Sequence, residues 1–256
     1  MDESALGTGI HIWRVRLDVR QSSFDRLNGA LSESERDRAQ RFRFDRLRQQ
    51  FTIAHGALRF VLGRYLSIAP DRVRFAEGSH GKPEVAEPAT TIRFNVSHSE
   101  ALAVIAIADG RDVGVDIEAI RPVPELEEIA QRYFSDQEAD ALMHTAPGAR
   151  EQNFFRIWTR KEAFIKAIGD GLSFPLDSFA VSFRPDEASR LIHLRGDVEE
   201  ARSWQLHAFT PAPGFAGALA YCGPRVHPAL LPPLDSDELL AAAADEHTVL
   251  KNQESI

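Results

Sequence analysis

The sequence is poor in the residues that would support several common designs. It has one cysteine in 256 residues, Cys222, so an intrachain disulfide and an all-cysteine metal site are both excluded, and a reducing compartment such as the cytoplasm is the expectation. Its longest purely apolar run, Ala101 to Ala108, is far short of the ~20 residues that span a bilayer. The opening stretch MDESALGTGIHIW starts with two acids and has no apolar core behind basic residues, so no signal peptide is expected. There is no excess of basic charge either: 30 Lys and Arg face 38 Asp and Glu, for a net charge of −8, which argues against a general nucleic-acid binder. Finally, the chain lacks a Gly-x-x-x-x-Gly-Lys-Ser/Thr loop, a Gly-x-Gly-x-x-Gly turn, a His-Glu-x-x-His pair and a Gly-x-Ser-x-Gly elbow. The commonest NTPase, dinucleotide, zinc-protease and serine-hydrolase frameworks are therefore absent.

What is present is an ordinary globular composition, 43% hydrophobic, at a length that buries roughly 70–75% of the unfolded surface. The charge is unevenly placed. Between Arg36 and Arg48 lie six arginines (36, 38, 41, 43, 46 and 48) against Asp37 and Asp45, a local excess of +4. The segment from Leu231 is acidic, and the prolines at 228, 232 and 233 set it apart as a tail with a short helix around Leu239 to Ala244. The arginine-rich stretch is either a solvated helix face or a surface for phosphates or an acidic partner.

Two local signals recur in the same order. Leu31-Ser32-Glu33-Ser34-Glu35 and Phe134-Ser135-Asp136-Gln137-Glu138 are each an apolar residue followed by a capping box, and each predicts a helix start. Further on, the stretch from Gly63 to Ile68 matches that from Gly169 to Phe174, and Asp71-x-Val73-x-Phe75 matches Asp177-x-Phe179-x-Val181. Each Gly is expected to end a long helix, with a strand beyond it. Two similar α+β halves follow, residues 1–112 and 113–227, with residues 228–256 as the acidic tail and a cleft between the halves as the natural ligand site.

Three segments carry candidate chemistry. Val113-Gly-Val-Asp-Ile-Glu118 has strand character, which puts Asp116 and Glu118 on one face; two such carboxylates either suit a hard cation, Mg²⁺ or Mn²⁺, or lie on a solvated edge. Phe154 to Gly169 is a helix in which Trp158, Glu162 and Lys166 follow at i, i+4 and i+8, the spacing of a surface ion pair or of a metal ligand beside a phosphate-binding lysine. Ile92-Arg-Phe-Asn-Val-Ser-His-Ser-Glu100 is a strand with Phe94 and Val96 inward, ending in hydroxyls and an imidazole that either bind phosphate or stabilise a turn.

Taken together and in order, Phe94-Asn-Val-Ser-His-Ser99, Gly114-Val-Asp-Ile-Glu118 and Trp158-Thr-Arg-Lys-Glu-Ala-Phe-Ile-Lys166 with Gly169-x-Gly-Leu172 resemble the 4′-phosphopantetheinyl transferase family, in its large monomeric type. Gly81-Lys-Pro83 and Leu176-Asp-Ser-Phe179 fit as well, and the resemblance runs from about Leu31 to about Tyr221. It implies two α+β halves related by a pseudo-twofold, and transfer of the phosphopantetheine arm of coenzyme A to a serine of an apo acyl or peptidyl carrier protein. By position it implies that Asp116, Glu118 and Glu162 hold Mg²⁺ against the pyrophosphate, that Lys166 and Lys161 neutralise phosphate charge, and that Ser97, His98 and Lys82 contact the nucleotide. Glu162 is then the candidate base, with Asp116 and Lys166 also catalytic. Where relatives often carry an arginine this chain has Gln49 or Gln50, so Arg38 and Arg48 become the substitutes for reading the 3′-phosphate. A non-catalytic binder of coenzyme A or carrier protein is the alternative; an RNA-binding role lacks basic and aromatic residues interleaved on a strand.

Overall fold

The computed structural model describes residues 9–78, 81–169 and 174–234. Gly171 and Leu172 of the third motif, and the helix expected near Leu239, lie outside the described residues. The first half runs β1 (Ile10–Arg16), α1 (Gln21–Ala30), α2 (Glu33–Gln40), α3 (Asp45–Leu66), a 3₁₀ turn (Pro70–Arg72), β2 (Arg74–Glu77), β3 (Pro83–Glu87), β4 (Ile92–Ser99) and β5 (Leu102–Asp109). The second runs β6 (Val113–Ala119), α4 (Leu126–Tyr133), α5 (Asp136–Met143), α6 (Arg150–Ile168), a 3₁₀ turn (Leu176–Ser178), β7 (Phe179–Val181), β8 (Leu191–Leu194), α7 (Val198–Arg202), β9 (Trp204–Phe209) and β10 (Phe215–Cys222). Apart from α7 and a short turn before α6, the order of elements repeats. So does the pairing: β1-β5-β4 and β6-β10-β9 are both antiparallel sheets in which the first strand lies beside the last.

Both capping boxes form. Ser32 and Ser135 accept the amides of Glu35 and Glu138, whose carboxylates bind back to the serine amides at 2.8 and 2.9 Å. Each glutamate goes further and meets a buried cation of the long helix: Glu35 pairs with Arg59 of α3, and Glu138 with Lys161 of α6, both at 2.7 Å. Those cations then tie down the 3₁₀ turn that follows. Arg59 donates to the carbonyls of Pro70 and Val73, and Lys161 to those of Leu176 and Phe179. The same lock, built with arginine in one half and lysine in the other, closes each repeat.

Two expectations change. Helix α3 does not stop at Gly63 but continues to Leu66 and ends on Ser67, which adopts the left-handed conformation (φ 53°). Its true counterpart is Gly169, the left-handed cap of α6 (φ 83°), so a polar residue and a glycine serve the same turn. The arginine-rich stretch is not one helix either, because the chain breaks between α2 and α3. In addition, Ala229–Leu234 forms a strand, β11, parallel to β1 at the sheet edge, where prolines are tolerated.

Alternation along the strands creates the layers. In β5, Ala103, Ile105 and Ile107 pack under α3, while Leu102, Val104, Ala106 and Ala108 face a core shared with Val113, Val115, Ile117, Leu219 and Tyr221 of the second half. Helix α6 covers the far side of the second sheet. Among the described residues no helix is long and apolar enough to cross a membrane.

Candidate active site

Edge strand β4 of the first sheet meets edge strand β6 of the second, and side chains join them. Asn95 Oδ1, Ser97 Oγ and Ser99 Oγ accept the amides of Val115, Ile117 and Ala119 at 2.9, 3.3 and 3.1 Å. The polar residues at every second position of β4 therefore take the place of a backbone ladder. Two of the hydroxyls also donate, Ser97 to Asp116 Oδ1 at 2.8 Å and Ser99 to Glu118 Oε2 at 2.7 Å. They fix both carboxylates at the seam.

Period 2 in β6 turns Gly114, Asp116 and Glu118 toward α6. Gly114 is needed for that approach: a Cβ there would lie 2.0 Å from the Ala163 carbonyl oxygen and 2.3 Å from the Ala167 nitrogen. With the strand this close, Lys166 of α6 reaches Asp116 Oδ1 at 2.7 Å and Ser97 Oγ at 3.3 Å. The second oxygen, Asp116 Oδ2, is buried and has no hydrogen-bond partner.

These groups open onto a cavity of about 830 Å³ between the halves, walled by β4, β6, α6, the end of α4 and the chain around Phe174–Asp177. Trp158 and Glu162 line it with Lys166, on one side of α6 as their spacing predicts. Desolvation and repulsion from Asp116 hold Glu162 above the ordinary carboxylate range, against the pull of Lys166. Glu118 is also raised, by desolvation first, although Ser99 opposes it. His98, at the rim, is held below the usual imidazole range by desolvation and by Lys166 and His55. The cavity thus carries four carboxylates, Asp116, Glu118 and Glu162 with Asp177 across from them, together with Lys166 inside it and Arg132 on its wall.

Oxygen donors with too little positive charge among them suit a hard divalent cation, and the orphan Asp116 Oδ2 is the atom such an ion would satisfy. As they stand, no three His, Cys, Asp or Glu side chains among the described residues are grouped closely enough to hold a metal. Lys166 is the neighbour that Asp116 has instead.

Residues 112–220 match the profile of the 4′-phosphopantetheinyl transferase superfamily, and residues 18–109 that of the 4′-phosphopantetheinyl transferase N-terminal region. The chain is 36% identical over 220 residues to 4′-phosphopantetheinyl transferase HetI of Nostoc sp., covering 85% of this chain and 90% of that one. It belongs to the 4′-phosphopantetheinyl transferase family. A second relative, 4′-phosphopantetheinyl transferase Sfp of Bacillus subtilis, is 31% identical over 68% of this chain and 77% of its own.

Within this transferase, Asp116, Glu118, Glu162, Lys166, Ser97 and His98 come together as expected. Lys161 does not. It is fully buried in its pair with Glu138, on the other side of α6, so it has no access to a phosphate in the cavity. Lys82 is likewise engaged elsewhere, donating to the Val113 carbonyl at 3.0 Å and that of Ala167, in the last turn of α6, at 3.3 Å. Arg38 lies over the Phe51 ring and Arg48 pairs with Asp45; neither lines the cavity. Gln50 is buried and donates to the Glu100 carbonyl. Sequence reasoning missed Arg132, Tyr133 and Asp177 as cavity residues; no spacing in the sequence connects them to the other walls.

Proposed function

We propose that this transferase moves the phosphopantetheine arm of coenzyme A onto a serine of an apo acyl or peptidyl carrier protein, in a magnesium-dependent reaction, in the cavity between its halves. The observation that carries the reading is the buried, unpartnered Asp116 Oδ2 beside Lys166, with Glu118 and Glu162 held above their ordinary range by desolvation and mutual repulsion. When bound, the cation supplies charge neutralisation at the pyrophosphate. Asp116, Glu118 and Glu162 would hold it, and Mn²⁺ offers the same chemistry to oxygen donors.

In the transfer, the carrier serine oxygen forms a bond to the β-phosphorus of coenzyme A. The bond from that phosphorus to the bridging oxygen breaks, and adenosine 3′,5′-bisphosphate leaves with the bridging oxygen. Lys166 neutralises phosphate charge, and Glu162 takes the serine proton, directly or through one water. Ser97 and Ser99 are positioning residues that keep the two carboxylates aimed into the cavity, and His98 sits where the nucleotide side would lie. The repeated element order and strand pairing support two halves related by a pseudo-twofold, and in this reading the enzyme works as a monomer in the cytoplasm.

The test is direct. The protein, coenzyme A, Mg²⁺ and an apo carrier protein are mixed, and the intact carrier is weighed by mass spectrometry. A phosphopantetheine adduct on the carrier serine, lost with Glu162→Gln, is expected. Folded protein giving no adduct on several carrier types defeats the reading, and coenzyme A binding without transfer would establish a non-catalytic binder instead.

A further inference from the structure

Helix α6 borders a second polar cavity on the side away from the catalytic carboxylates, and three arginines line it. The cavity measures about 240 Å³ and is bounded by α6, the turn after β7 and the strands β9 and β10. Arg156 and Arg160 enter it from α6, and Arg184 from the turn. Arg160 is only 4% exposed, yet its guanidinium is poorly matched: one nitrogen donates to the Ser182 carbonyl, while Nε is buried with no partner. A guanidinium has five N–H donors, so most of this one's capacity is unused. Arg156 spends one donor on Asn153.

Glu187 also lines the cavity, and its carboxylate offsets only one of the three positive charges. Glu187 Oε1 is taken by the amides of Phe183 and Arg184, both at 2.8 Å, which fixes it to its own turn. Among the described residues, none of the three arginines makes an ion pair. Desolvation, with repulsion from Arg156 and against the attraction of Glu187, lowers Arg160 to about 10, which still leaves it cationic at neutral pH. Three arginines against one carboxylate leave the hollow with a positive excess, which an entering anion relieves. Ser189 and Thr210 complete the wall with hydroxyls.

We propose that this cavity is an oxyanion site, separate from the catalytic one, which takes a free phosphate ion between Arg156, Arg160 and Arg184. The cavity has room for a tetrahedral ion, and the planar donor forks of arginine match phosphate oxygens in pairs. The site does not depend on the transfer reaction, so it stands or falls by itself.

The test titrates inorganic phosphate into the full chain by calorimetry, at an ionic strength held constant with chloride. It is done in a Lys166→Ala background so that the catalytic cavity contributes least. Binding at a single site is expected, with roughly tenfold weakening in Arg184→Gln and in Arg156→Gln, the loss of one charged hydrogen-bonding partner. Arg184 is exposed, so its variant keeps the fold, which circular dichroism checks. Phosphate binding that survives both substitutions would place the ion elsewhere and overturn the assignment, as would the absence of binding at millimolar phosphate.

Discussion

Replacing Lys161 by methionine separates a structural lysine from a phosphate-binding one. Its ammonium contacts Glu138 Oε2 at 2.7 Å, the Leu176 carbonyl at 2.8 Å and the Phe179 carbonyl at 2.5 Å, and lies 4.3 Å from the centre of the Phe179 ring. Both ends of the pair are almost wholly buried. Methionine retains the apolar stem but leaves the Glu138 carboxylate without its counter-charge, a change that costs about 3–5 kcal/mol. At this chain length that corresponds to a fall in Tm of roughly 6–20 °C. The assays are urea unfolding and, on the fraction that remains folded, the KM for coenzyme A. Stability should fall by the stated amount with KM within about twofold of the parent. Adding Glu138→Gln should recover part of the loss, because the unpaired charge is removed. Unchanged stability with a KM raised tenfold would refute the lock and return Lys161 to the phosphate.

Other consequences follow from the same geometry. Burial would raise Glu35, but bonds from His55 and Ser32 and the charge of Arg59 outweigh it and bring it down to about 2. A depressed carboxyl stabilises the fold above its unfolded pKa of 4.5 and loses that contribution as the pH falls to about 2. Glu35→Gln should therefore cost about 3 kcal/mol at pH 7 and almost nothing at pH 2, measured by urea unfolding across that window; a pH-independent difference would contradict the cause. Gly114→Ala forces a Cβ against the backbone of α6 and should destabilise by at least about 3 kcal/mol, with loss of transfer activity in whatever remains folded. A neutral result would mean that the helix can shift freely. Asn95→Ala leaves the Val115 amide at the seam without its acceptor and should cost about 1–3 kcal/mol in the same unfolding assay, whereas no change would dismiss the side-chain seam.

The local signals were the most legible part of the sequence. Capping boxes at Ser32 and Ser135 depend on residues three apart, so they can be read without tertiary information, and both formed. Alternation in Val113–Ala119 placed Asp116 and Glu118 on one face for the same reason. The helix end at Ser67 was missed because Gly63 offered the stronger local stop, but Gly63 serves close packing instead: a Cβ there would lie 2.7 Å from the Ile68 carbonyl oxygen. The place of Lys161 in the motif points it to the cavity. Its position roughly 100° around the helix from Glu162 already points it elsewhere. The seam of Asn95, Ser97 and Ser99 was not legible at all, since it depends on which strand of the other half lies opposite.

The proposed transfer needs the cavity carboxylates to form a cation site when the substrate is bound. A crystal grown with coenzyme A and Mn²⁺, with the metal located by its anomalous signal, tests this most directly. A manganese peak among Asp116, Glu118 and Glu162, with Lys166 moved from Asp116 to a phosphate oxygen, is the expected result. Coenzyme A bound in the cavity with Lys166 still on Asp116, and no metal among the three carboxylates, would contradict it.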